Sequence, residues 1–304
     1  MKKLTQLLLL ILVFLMGLLA AYMAPPVFEA AETGPVNDIK ITVVNDTYES
    51  VIQKQSIRCG YAVWAPFFMK DANTGAFSGV FYDYMEALGQ ALKLKIDWAE
   101  EISWADFPAA LKSGRIDVMC SGLWPNADRA REIDFINPIF YSPIYAYVRA
   151  DDTRFDGNID LINDPSVTIA VIDGATGTVI AMNDFPQAKT LPLPEVGGLI
   201  EIINTVVAHK ADVFIIDSAF AGKYAAANPG KIKRVGPPLR VFGDTIAIAQ
   251  AQGRFLRMVN TISSELLLSG KVEKILKKYE EVPGSFLRVA PSYVSPLEAN
   301  SQQR

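Results

Sequence analysis

The stretch KIDWAEEISWADFPAALKSGRIDVMC, residues 95–120, decides the fold class. Its apolar residues predict a short strand at 95–98, a helix at 104–113 and a second strand at 116–120. Gly114 follows the predicted helix, at a position where glycine commonly ends a helix. A strand, a helix and a strand joined by short connections are typical of a parallel sheet covered by helices. We therefore predict an α/β fold.

The same alternation continues on both sides of this stretch. Upstream, the pattern predicts a strand at 56–61 and a helix at 79–92. Downstream, it predicts strand 167–172, helix 199–208, strand 212–216, strand 246–249, helix 253–268 and helix 272–279. Two strand–helix series, each with a glycine-marked loop after a strand, indicate two α/β lobes.

The composition excludes several classes of protein. Half of the 304 residues are hydrophobic, which is too many for a disordered chain. The net charge is −4 and no long basic run is present, so we expect no nucleic-acid partner. One histidine and two cysteines are too few for a Cys₂His₂ or Cys₄ zinc site. No G-x-S-x-G motif accompanies His209 to suggest a serine hydrolase. We expect no metal and no cofactor.

The two ends of the chain differ from its body. Met1 to Lys3 form a short positive start, and residues 7–24 are apolar without a charge. This layout predicts export, with residues 1–24 either a cleaved signal peptide or a retained anchor that tethers the protein to the membrane. Residues 25–55 are expected to form a linker and a lead-in, and residues 281–304 a C-terminal tail.

Export bears on the two cysteines, because an oxidising compartment permits a disulfide. Cys59 and Cys120 each lie near the end of a predicted buried strand. If those strands are neighbours, the two sulfurs can form a bridge. The alternative is two small buried thiols. The sequence leaves both open.

Candidate binding residues follow the predicted strands. In open α/β sheets, ligands lie outside the carboxyl ends of the strands. The residues that stand there are Tyr61, Trp64, Ser121, Gly122, Trp124, residues 173–176 and Asp217.

Several motifs in this order resemble a known family. They are 60–67 with its Gly-aromatic-x-Pro-Phe pattern, 71–83, 104–117, 121–129 (SGLWPNADR), 174–177 (GATG), 210–217 and the closing helix at 268–279. Together they resemble the extracytoplasmic solute-binding proteins, family 3 type, that serve amino-acid ABC importers. The resemblance implies a two-lobed type II periplasmic binding protein fold that closes on a hinge. It also implies periplasmic localisation and an ABC permease in the inner membrane as partner.

The resemblance also implies lobe boundaries. Lobe 1 would comprise residues 56–147 plus 246–280, and lobe 2 residues 150–242. The chain would cross between the lobes near 147–151 and 242–248.

The resemblance gives roles to three polar residues. The guanidinium of Arg129 would bind the ligand's α-carboxylate through two parallel N–H donors. Asp217 would accept the ligand's ammonium, and Thr176 with the Gly174 loop would bind the carboxylate at a helix N-terminus. Each has a plain structural alternative: a surface arginine for Arg129, and helix N-caps for Asp217 and Thr176.

The tryptophans are the residues that most distinguish this sequence from the family pattern. Trp64 and Trp104 stand where the family places ligand-facing apolar side chains. Gly122, just after the predicted strand 116–120, is a further ligand-binding candidate. Trp124 departs from the family, which usually has Ser or Thr there. Because Tyr61 replaces the acid of cationic amino-acid binders, we expect a neutral or aromatic amino acid, or a related carboxylate. A quaternary-ammonium acid also fits, since tryptophan faces attract such cations.

Two other functions remain open. A retained N-terminal anchor would suit a membrane-tethered, ligand-sensing module. Some exported relatives are dehydratases, which as enzymes need an acid shortly after the second-lobe Gly-Thr segment. Here no carboxylate follows until Asp184, so we expect a protein that is not an enzyme.

Overall fold

Two sets of parallel strands form the framework of the molecule. The computed structural model describes residues 46–195 and 198–289. The predicted signal or anchor at 1–24, residues 25–45 of the predicted linker and residues 290–304 of the predicted tail lie outside the described residues.

The first part of the chain alternates strands and helices as predicted. Its elements are α1 Thr47–Lys54, β1 Ser56–Tyr61, β2 Met69–Lys70, β3 Phe77–Ser78, α2 Val80–Leu92, β4 Lys95–Glu101, α3 Phe107–Lys112, β5 Val118–Leu123, α4 Ala127–Ala130 and β6 Ile133–Phe135. Strands β4, β1 and β5 lie side by side and parallel. All six residues of β5 are buried, as expected for a strand covered on both faces.

The second part begins with a long strand. Its elements are β7 Phe140–Arg149, a 3₁₀ turn Ile159–Ile162, β8 Thr168–Ile172, α5 Thr176–Asp184, β9 Lys189–Leu193, α6 Ile200–Val207, β10 Val213–Asp217, α7 Ser218–Ala227, β11 Ile232–Ala249, α8 Gly253–Leu268, α9 Lys271–Tyr279 and β12 Leu287–Arg288. Strands β10, β8 and β9 form the second parallel set.

Strands β7 and β11 join the two sets. The sheet order is β4-β1-β5-β11-β7-β10-β8-β9. Residues 245–249 of β11 pair with β5 and β6, whereas residues 232–244 pair antiparallel with β7. β7 in turn pairs antiparallel with β10. The fold is the predicted two-lobed α/β architecture, and β7 and β11 are the strands that connect its two parallel sets.

A disulfide joins Cys59 of β1 to Cys120 of β5. The two strands are parallel neighbours, and the two Cα atoms are 5.5 Å apart. Both cysteines are fully buried. Of the two alternatives that the sequence left open, the structure has the bridge.

Short segments at both ends of the body join its core. Within the predicted lead-in, α1 buries Val51 completely. Within the predicted tail, Phe286 is buried and β12 pairs with β7. Among the helices that the structure describes, none is long and apolar enough to cross a membrane.

Candidate functional site

A cavity of about 520 Å³, measured with its opening to solvent, lies between the carboxyl ends of the two parallel strand sets. The first lobe contributes Trp64, Trp104, Leu123, Trp124 and Arg129 to its wall. The second lobe contributes Ala170, Val171, Ile172, Ala175, Thr176, Gly177, Leu199, Ile202, Ile215 and Ile216. Apart from Arg129 and Thr176, these side chains offer mainly apolar and aromatic surface.

Arg129 reaches from the first lobe to the second. Asn126 caps α4 and accepts from the Arg129 backbone N–H at 2.9 Å, which fixes the start of the side chain. Nη1 donates to the Trp124 carbonyl at 3.1 Å and to Thr176 Oγ1 at 3.2 Å, and Nη2 donates to the Gly174 carbonyl at 3.0 Å. All three acceptors are neutral.

The guanidinium of Arg129 is a cation without a carboxylate partner among the described ion pairs. It lies over the Phe107 ring, 5.3 Å from the ring centroid. Burial lowers its pKa to about 10, so it stays charged at neutral pH. A small anion in the cavity would therefore meet a pre-positioned positive charge.

The second-lobe loop brings backbone to the same point. Thr176 is buried at the first turn of α5, and its hydroxyl faces Arg129. Gly174 has φ +74°, and a Cβ there would lie 2.9 Å from the backbone nitrogen of Ala105 in the first lobe. The two lobes are thus in close contact beside the cavity.

Asp217 ends β10 and is fully buried. Its Oδ1 accepts from the Phe220 backbone N–H at 2.7 Å, so it is the N-cap of α7. Its Oδ2 accepts from the Trp64 indole N–H at 3.1 Å. Burial raises the pKa of Asp217 to about 7. The carboxyl lies behind the tryptophan and does not line the cavity.

The three predicted tryptophans come together. Trp64 lies 5.9 Å from Trp104 and 5.0 Å from Trp124, measured between ring centroids. Gly122 is placed differently, because it does not line the cavity and has φ +89°. A Cβ at Gly122 would overlap the Phe81 ring, so this glycine allows α2 to pack against β5.

Residues 57–282 match the model of the bacterial extracellular solute-binding proteins, family 3. The chain belongs to this family. Among curated relatives, a probable histidine-binding protein of Neisseria gonorrhoeae is 25% identical over 72% of this chain and 80% of its own. An L-arginine-binding protein of Pseudomonas aeruginosa is 25% identical over 72% of this chain and 85% of its own.

An enzyme is also among the relatives of this family 3 protein. The cyclohexadienyl dehydratase of Pseudomonas aeruginosa is 25% identical, over 51% of this chain and 56% of its own. Among solved structures, an ancestral amino acid-binding protein described as a precursor of that dehydratase superposes with a TM-score of 0.69 at 25% identity. That match covers 77% of this chain and 99% of the ancestral one.

Two acids of this family 3 site were not predicted from the sequence. Asp244 of β11 is fully buried, and its Oδ1 accepts from the Trp124 indole N–H at 3.1 Å. Burial raises the pKa of Asp244 well above the usual range of an aspartate. Glu195 accepts from the Trp104 backbone N–H at 2.8 Å, and partial burial raises its pKa. The sequence signal for Asp244 was a single acid next to the apolar run 246–249.

Residues 46–195 and 198–289 contain no group of three or more His, Cys, Asp or Glu side chains placed to hold a metal ion. The residues that line the cavity offer one partly buried guanidinium, one hydroxyl and a wall of indole and aliphatic groups.

Proposed function

We propose that this family 3 protein is an exported receptor for a small carboxylate, a neutral or aromatic amino acid or a derivative of one. It captures the ligand between its lobes by hinge closure and delivers it to an ABC permease in the inner membrane. Residues 1–24 direct export. The amino-acid part of the proposal follows the histidine- and arginine-binding relatives.

Arg129 carries the proposal. Its three described side-chain acceptors are neutral, and the Phe107 ring lies under the guanidinium, so no carboxylate is hydrogen-bonded to this partly buried charge among the described contacts. A guanidinium has five N–H donors, which leaves donors for a carboxylate. A carboxylate bound there would form charge-assisted hydrogen bonds, which are about twice as strong as neutral ones. Thr176 and the first turn of α5 stand beside it and favour the same charge.

The rest of the cavity wall sets the kind of ligand body. The aliphatic residues of the second lobe and the three tryptophans of the first favour an apolar or aromatic group. Asp217 and Asp244 are turned toward indole N–H groups and do not line the cavity. A ligand with a cationic side chain would find no free carboxylate on this wall, which separates the proposal from an arginine or lysine receptor.

Contacts across the cleft support closure on the ligand. Arg129 with Gly174 and Thr176, Trp104 with Glu195, and Trp64 with Asp217 all join one lobe to the other. We place lobe 1 at 56–147 plus 246–280 and lobe 2 at 150–242, with β7 and β11 as the hinge strands. A ligand that touches both lobes shifts the population toward the closed form, which the permease would recognise.

Binding is favoured over catalysis by the position of the first acid after the second-lobe loop. Asp184 forms an ion pair with Arg240 and does not line the cavity. The match to the dehydratase also covers only 56% of that enzyme. We propose that the cavity binds its ligand without changing it.

A thermal-shift screen of the proteinogenic amino acids and related carboxylates tests the proposal. A ligand at a hundredfold excess over its Kd stabilises the folded state by about 2.7 kcal/mol. We expect a shift with at least one neutral or aromatic carboxylate, its loss in Arg129→Ala and its retention in Arg131→Ala. Arg131 is the matched control, because it is exposed and lies two residues beyond Arg129. A shift that Arg129→Ala leaves unchanged would overturn the proposal.

A further inference from the structure

The three cavity tryptophans are arranged as a box. Phe67 covers one side of Trp64, with ring centroids 4.0 Å apart. Trp104 stands at 89° to Trp64, and Trp124 stands at 85° to it. Among the described ring contacts none joins Trp104 to Trp124. Trp64 therefore meets two rings that stand perpendicular to it, and all three indoles line the cavity, so we name these three residues the tryptophan box.

Packing and hydrogen bonds hold the box in place. Phe242 stacks on Trp124 at 5.5 Å with an angle of 13° between the rings. The indole N–H groups of Trp64 and Trp124 donate to Asp217 and Asp244, which lie behind the rings. An indole that donates to a carboxyl group gains electron density, which strengthens the attraction between its face and a cation.

A primary ammonium does not suit this box. It has three N–H donors, and each donor left unpaired in a buried site costs about 1–3 kcal/mol. Asp217, the acid that is hydrogen-bonded to Trp64, does not line the cavity and is therefore not placed to accept them. A quaternary ammonium has no N–H donor and needs only aromatic faces around its methyl groups.

We propose that the tryptophan box holds a quaternary ammonium and that the ligand is a betaine, with its carboxylate at Arg129. This inference rests on the carboxylate receptor proposed above and names its ligand class. Trp124 belongs to both halves of the site, since its ring is a wall of the box and its carbonyl accepts from Arg129 Nη1 at 3.1 Å. Because Trp124 belongs to both, the two halves adjoin, which suits an α-betaine, whose ammonium and carboxylate flank one carbon.

Matched ligand pairs test the inference by calorimetric titration of the purified protein. The pairs are glycine, alanine and phenylalanine, each compared with its N-trimethylated form, and glycine betaine compared with 3,3-dimethylbutanoate, in which an uncharged tert-butyl group replaces the trimethylammonium. For at least one amino acid we expect the trimethylated form to bind about tenfold or more tightly than the free amino acid. Glycine betaine is expected to exceed the isostere by a similar factor.

Substitutions in the box provide a second measurement. Trp104→Leu keeps an apolar wall but removes the aromatic face, so it should reduce the preference for trimethylated ligands about tenfold. Trp98→Leu is the matched control, because Trp98 is the remaining tryptophan of the chain and does not line the cavity. If Trp104→Leu does not fold, Trp104→Thr and the wild-type ligand pairs carry the same comparison.

The outcomes separate this inference from the proposed function. If each free amino acid binds at least as tightly as its trimethylated form, and Arg129→Ala abolishes that binding, the betaine inference is wrong and the receptor stands. Equal affinity for glycine betaine and 3,3-dimethylbutanoate would also overturn it, because the box would then select shape without charge. If wild type binds none of these carboxylates, the inference and the proposed function both fail.

Discussion

The indole N–H of Trp64 donates to the fully buried carboxyl of Asp217 at 3.1 Å, across 153 residues of chain. The bond joins the loop after β1 to the end of β10, and therefore one lobe to the other. The same carboxyl caps α7 through the Phe220 N–H. Asp217 thus holds both Trp64 in the cavity wall and the start of α7, so the protonation state of Asp217 affects both.

Asp217 should make stability depend on pH. Burial raises its pKa from 3.8 to about 7, so the folded state holds a proton that the unfolded chain releases. Its contribution is complete below the unfolded value and is lost as the pH rises through the folded one. We expect the free energy of unfolding to fall across this window by an amount on the order of a few kcal/mol.

The substitution Asp217→Asn removes this titration and should flatten the pH dependence. Urea denaturation from pH values below the window to values above it measures the slope. Part of the slope will remain, because burial also raises the pKa of Asp244, and Tyr147 is a further titratable neighbour of Asp217. Asp151→Asn, at an exposed position, is the control that should keep the full slope. Equal slopes in wild type and Asp217→Asn would contradict the prediction.

Gly122→Ala should destabilise the first lobe. Its φ of +89° is costly for any residue with a Cβ, and the new methyl would overlap the Phe81 ring. We expect a loss of about 2–5 kcal/mol in the free energy of unfolding, measured with urea. Gly157→Ala measures the cost of the positive φ alone, since Gly157 has φ +79° and nothing lies within 4 Å of a Cβ built there. The prediction fails if both variants lose the same amount.

The Cys59–Cys120 bridge should stabilise the exported protein and resist reductant while the fold is intact. Both sulfurs are buried between neighbouring strands, so a reductant reaches them only when the lobe opens. The double variant Cys59→Ala, Cys120→Ala should lose about 2–4 kcal/mol. Thiol titration with and without urea gives the accessibility, and denaturation curves give the stability. Labelling of two free thiols in urea without reductant would show that the bridge is absent.

The buried parallel strands were predictable because each is a short run with apolar residues between turn signals, whereas β9, which has no buried residue, was not predicted. The run at 116–120, for example, became β5 at Val118–Leu123. Strand β7 and the first part of β11 were not predicted. In β11, Gly236, Pro237 and Pro238 have the composition of a loop. The structure accommodates them at a register shift between Val235 and Arg240, where the prolines need no ladder partner.

The residues of the candidate site also divide into those that the sequence predicted and those that it did not. Trp64 and Trp124 come after predicted strands, so the rule for strand ends brought them to one edge, whereas Arg129 was named from the family resemblance. Asp244 could not be paired with Trp124, because the two are 120 residues apart and meet only through the antiparallel packing of β11 on β5. The sequence also could not show that Asp217 is held by an indole, since that contact depends on how the lobes meet.

Closure of the cleft should depend on the absence of a side chain at Gly174. A Cβ there would lie 2.9 Å from the Ala105 nitrogen and 3.1 Å from its Cα, and backbone atoms cannot move aside as a flexible side chain can. Gly174→Ala should therefore hold the lobes apart and weaken ligand binding about tenfold or more, a loss of about 1.4 kcal/mol or more in binding free energy. Gly230→Ala is the matched control, because Gly230 has the same φ of +74° and nothing within 4 Å of its built Cβ.

Titration calorimetry gives the affinity, and small-angle scattering with saturating ligand gives the radius of gyration, which should stay larger in Gly174→Ala than in wild type. Both variants carry the same backbone strain, so a binding defect confined to Gly174→Ala would assign it to the contact between lobes. Equal affinities in the two variants would mean that ligand binding does not require this approach of Gly174 to Ala105.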